Sequence, residues 1–131
     1  MSASADRTMF LRRSLRLDAA ASGVCGVILV VGAGPIARLF GFAPPALAFA
    51  VGAGLLVFAA ALLWNAGRPR VSRTEAIVTV VLNAAWVLGS LVLIADGPLT
   101  LLGNLAVAAV AAAVALFAVL ETVGLRRLRE A

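Results

Sequence analysis

The sequence predicts an all-α integral membrane protein, a bundle of four transmembrane helices arranged as two antiparallel hairpins with both termini cytoplasmic. Three observations lead there. Of the 131 residues, 63% are hydrophobic and 13% charged, too little polar residue to cover a water-soluble surface. One span takes about 20 apolar residues, and roughly 80 residues between positions 17 and 123 stand in apolar runs, which allows four spans at most. Finally, the charges fall between the runs, and ten of the eleven basic residues, all arginines, lie on one side of the alternating pattern.

The elements follow in order. Residues 1–16 form a basic cytoplasmic segment with Arg7, Arg12, Arg13 and Arg16 against Asp6. A membrane domain over 17–123 holds helices at about 17–33, 45–64, 74–95 and 98–123, the first of them closed by Gly34-Pro35. Reading that first run as a cleaved signal peptide would leave three helices and break the charge pattern. Residues 34–44 form an outer connection at the interface, with Phe40 and Phe42 as anchors. Between the second and third helices lie Arg68, Arg70 and Arg73, and Ser72 with Glu75 has the spacing of a capping box. Asp96 is placed to cap the fourth helix. A basic tail over 124–131 carries Arg126, Arg127 and Arg129. The two hairpins also repeat weakly, Ile28 to Pro35 aligning with Leu91 to Pro98, as a parallel repeat would.

Polar groups inside the spans are the places to look for function, because hydrocarbon makes them costly. Thr79, Asn83, Trp86 and Ser90 share one face of the third helix, with Asn83 near the bilayer midplane. Facing the bundle, they would bond to neighbouring helices for about 0.6 to 2 kcal/mol each. Facing a pocket, Trp86 would be a wall and Asn83 the group that orients a ligand. A tight hairpin about Asp96-Gly97-Pro98 sets Ser90 level with Asn104, one turn beyond Thr100, and predicts a Ser90–Asn104 hydrogen bond. Asp18 shares a face of the first helix with Ser22 and Cys25; it is expected in an ion pair with Arg16, Arg68, Arg70 or Arg73, or else in ion coupling. Glu121 is expected to behave likewise at the end of the fourth helix. No carboxylate is expected near the midplane.

The absences narrow the chemistry. Without histidine, and with Cys25 as the one cysteine, no metal site, haem or other cofactor is expected. No nucleophile and base stand together, so no enzyme is expected. The arginines flank spans and are not interleaved with aromatics, which points to membrane lipid as a partner and away from nucleic acid. Small-xxx-small pairs such as Ala85-Gly89 and Ala109-Ala113 suit self-association or a place in a larger membrane complex.

In size and four-span layout the chain is similar to small multidrug-resistance exporters. The membrane-embedded glutamate of their first helix has no counterpart between Ser22 and Val31. The expected function is therefore a non-enzymatic accessory or scaffold subunit of the bacterial inner membrane, or a binder of an apolar ligand within the bilayer. The alternative is a small oligomeric transporter.

Overall fold

The computed structural model describes residues 3–41 and 44–129, and every regular element in them is a helix. These are α1 (Ala3–Val31), α2 (Ala33–Phe40), α3 (Pro45–Ala66), α4 (Arg73–Asp96) and α5 (Leu101–Arg129). Four are long and apolar enough to cross a membrane, with spans Thr8–Val31, Pro45–Ala66, Arg73–Asp96 and Leu101–Leu128. Their outer faces carry bare aliphatic side chains such as Val31, Val57 and Leu101, a surface suited to lipid. The chain is a small polytopic membrane protein with four candidate spans packed as a bundle.

α1 begins well before the expected position 17, because the basic segment continues its buried stripe. Leu11, Leu15, Asp18 and Ser22 recur at helical spacing, and Leu11 and Leu15 are completely buried. Arg12 fits on this helix because its guanidinium donates to the carbonyls of Ala66 (2.6 Å), Arg68 (2.6 Å) and Pro69 (3.0 Å). It thereby satisfies the open C-terminal end of α3. α5 likewise runs on past position 123, with Leu125 buried in the same cluster and Gly124 lying against Leu11.

The core gathers at this arginine-bearing end, where Leu11, Leu15, Ala59, Leu62, Val71 and Leu125 meet. α1 lies between α3 and α5, α4 packs on α5, and α3 and α4 hardly touch beyond their connection. α1 and α3 cross in close contact. A Cβ on Gly26 would stand 2.9 Å from the carbonyl oxygen of Gly52, and one on Gly52 2.9 Å from that of Gly26. Without a hydrophobic drive between helices in lipid, such backbone approach is what contact depends on.

The connections are tied by side chains. Ser72 Oγ accepts from the N–H of Glu75 (3.2 Å) and caps α4. Glu75 does not complete a capping box: Asn65 Oδ1 takes the Ser72 N–H (2.7 Å), and Glu75 pairs with Arg68 at 3.4 Å. At the other end of the bundle, α2 closes on Gly41 in the left-handed conformation (φ 85°), which glycine adopts without strain. The expected cap Asp96 is the last residue of α4, and Thr100 takes the capping role instead. Its hydroxyl accepts from Gly103 N–H (3.0 Å) and donates to the Leu39 carbonyl (2.7 Å), while its N–H donates to the Phe40 carbonyl (3.1 Å). Phe40 thus ends α2 half-buried against the start of α5; Phe42 lies outside the described residues.

Candidate functional site: a buried carboxyl pair at the end of an apolar cavity

Three helices bring one polar side chain each to the same point inside the bundle. Asp18 of α1 is 1% exposed, Asn83 of α4 3%, and Glu121 of α5 0%. The Asn83 amide nitrogen donates to Asp18 Oδ2 (2.9 Å) and to Glu121 Oε1 (2.8 Å), using both of its hydrogens. Ser22 Oγ donates to the other Asp18 oxygen at 3.2 Å. Glu121 Oε2 is buried and accepts from no amide or hydroxyl, and the Glu121 and Asp18 carboxyls lie within hydrogen-bonding reach of each other.

Among the described residues no arginine forms an ion pair with this cluster, and the one salt bridge is Arg68–Glu75. The expected ion pairs of Asp18 and Glu121 are thus replaced by a shared amide. The reason is angular: residues two apart on a helix face opposite ways, so Arg16 points outward and is exposed while Asp18 points in. Both carboxyls sit inside spans, Asp18 within Thr8–Val31 and Glu121 within Leu101–Leu128.

The rest of the predicted polar set divides. Thr79 Oγ1 bonds to the Glu75 carbonyl (2.9 Å) and Ser90 Oγ to the Trp86 carbonyl (2.7 Å), each within α4. The expected Ser90–Asn104 bond does not form, and the Asn104 side-chain oxygen is buried without a partner. Register explains this. A tight turn about residues 96–98 would set Asn83 beside Ala111, yet Asn83 meets Glu121, about ten residues further along α5. The segment from Gly97 is held extended against the end of α2 by Thr100, which displaces α5 along its axis. Thr100 and Asn104 therefore belong to the α2 end of the bundle, apart from Asn83.

Asp18, Ser22, Asn83 and Trp86 line a cavity of about 770 Å³ bounded by all four long helices. Its other walls are apolar, among them Leu55, Phe58 and Phe117. On α1 the lining runs from Asp18 to Cys25, away from the arginine-bearing end, so the carboxyl stands at one limit of the space. The cavity opens where α3 and α4 part, and Val57 (71%) and Leu82 (50%) are exposed along that rim. Gly54 also lines it, and a Cβ there would meet nothing within 4 Å. Trp86 Nε1 is buried without a partner on the next turn of α4.

In the sequence, Asn83 and the two carboxyls stand as separate features. The signal that joins them lies in α1, where Asp18 and Ser22 continue the face begun by Leu11 and Leu15. Among the described residues no three His, Cys, Asp or Glu side chains group as metal ligands. Comparison with family models, with curated proteins and with solved structures finds no match for this chain.

Proposed function

We propose that this protein binds an apolar ligand within the bilayer, as a non-enzymatic membrane component. The observation that carries the reading is the cavity of about 770 Å³, apolar in most of its wall, polar at one limit, and open between α3 and α4. Small-molecule sites are of this size and composition, with a few polar groups to fix orientation. The distribution of arginines supports cytoplasmic termini, and the use of arginine alone together with many alanines suits a bacterial chain, whose plasma membrane is then the place for it. Attraction of those arginines to anionic lipid headgroups accounts for the basic balance without nucleic acid. The bare small-residue faces of α4 and α5 suit a second copy or a larger membrane complex.

The test uses the protein in nanodiscs, with the cavity residue Trp86 as reporter and Trp64, exposed and outside the cavity, changed to Phe. A nitroxide-labelled fatty alcohol should quench Trp86 fluorescence saturably, and Gly54→Phe, which fills the space, should abolish saturation. Quenching that rises linearly with probe and is unchanged by Gly54→Phe would rule the reading out. A second reading, a small oligomeric transporter, draws on the two carboxyls buried within spans. It additionally requires flux across proteoliposomes that is lost in Asp18→Asn.

A further inference from the structure

The geometry points to a protonated amine as the polar part of the ligand, seated on Asp18 with Glu121 behind it. The inference rests on the cavity reading above and adds the charge and hydrogen-bonding sense of the ligand. It follows from the balance of donors and acceptors. The donors in the cluster are the two amide hydrogens of Asn83 and the hydroxyl of Ser22, and all three are already engaged. The acceptors are four carboxyl oxygens; Asp18 and Glu121 also lie within hydrogen-bonding reach of each other and can hold one proton between them, and the acceptor sites still outnumber the donors. A head group that donates is therefore the better match at Asp18, where an alkylammonium brings three donors and an alcohol only one.

Charge leads to the same class. Two acidic side chains share a buried site with no arginine in contact among the described residues. Of the elements around Asp18, α1 offers Ser22 and Cys25, α4 offers Asn83 and Trp86, and α5 offers Glu121. α3 offers only apolar side chains such as Leu55 and Phe58. Two acids in contact can share one proton, which leaves a single buried negative charge, and among the described residues no cation offsets it. The cavity supplies room for an apolar body joined to that cation, because Asp18 ends the space and apolar residues line the remainder. Trp86 Nε1, the leftover donor, is on the turn of α4 beyond Asn83 and does not serve the carboxyls.

The experiment extends the Trp86 quenching measurement, in nanodiscs of zwitterionic lipid so that surface charge does not gather the probe. Nitroxide-labelled dodecylamine is compared with nitroxide-labelled dodecanol, the label at the same carbon. The amine is expected to half-saturate at a concentration at least about tenfold below the alcohol. Asp18→Asn should remove that difference and leave the alcohol unaffected, and Glu121→Gln should reduce it. Equal saturable quenching by both probes in the unaltered cluster would overturn the amine assignment while leaving the cavity reading standing. Saturable quenching by neither would overturn both. The amine-to-alcohol comparison needs no change to the carboxyls, so it decides the assignment even if the Asp18→Asn variant folds poorly.

Discussion

The two sides of α3 are built on opposite terms. Toward α1 it presents Gly52, close enough to Gly26 that neither position has space for a side chain. Toward α4 it presents Gly54 and Val57 to a gap, even though α4 is its neighbour in sequence and the connection between them is short. Proximity along the chain therefore does not decide which helices pack. In lipid, where apolar surface gains little by leaving the solvent, shape decides, and the small residues of the α1–α3 seam supply it. The α3–α4 seam is held at one end only, by Arg12 and Asn65, and it stays open above that point.

Three substitutions probe this contrast. The largest effect is expected from Gly52→Leu, whose Cβ would stand 2.8 Å from Leu29 Cβ and 2.9 Å from the Gly26 carbonyl oxygen. Overpacking of that kind costs about 3 kcal/mol, read as a shift in reversible detergent unfolding followed by circular dichroism. Wild-type stability in that variant would mean that the α1–α3 crossing is not the rigid seam. Next comes Arg12→Ala, which strips three carbonyls of their donor. A loss of about 2 kcal/mol is expected, with faster trypsin cleavage in the α3–α4 connection. An unchanged cleavage rate would show that the connection is held by other contacts. Smallest is Gly54→Phe, two residues from Gly52 yet facing open space. Its stability should stay within about 0.5 kcal/mol of wild type in the same assay, and a large loss would mean that α3 and α4 are packed at this level.

Much of the fold was legible because hydropathy reports spans directly. The apolar runs, the arginine clusters between them and the capping serine at position 72 needed no tertiary information. The extent of α1 was harder to see, since Arg12, Arg13 and Arg16 read as a solvated segment. The carbonyls that accept from Arg12 lie more than fifty positions away along the chain. Asn83 stood out as a polar residue in an apolar helix. Its partners did not, because their convergence depends on the axial offset of α5 against α4, set by the bonds of Thr100 to Leu39 and Phe40. Register of that kind is written in long-range contacts that no local pattern encodes, and it also explains why Ser90 and Asn104 do not meet.

The opening between α3 and α4 also determines how occupancy is to be counted. A molecule that reaches Asp18 by that route passes from acyl chains to protein without crossing water, so the relevant quantity is its mole fraction in the bilayer and not its molarity outside. Partitioning does the concentrating, and the protein needs only to outcompete the surrounding lipid. Modest intrinsic preference is then enough for a filled site, and the amount of membrane in a sample becomes as much a variable as the amount of ligand.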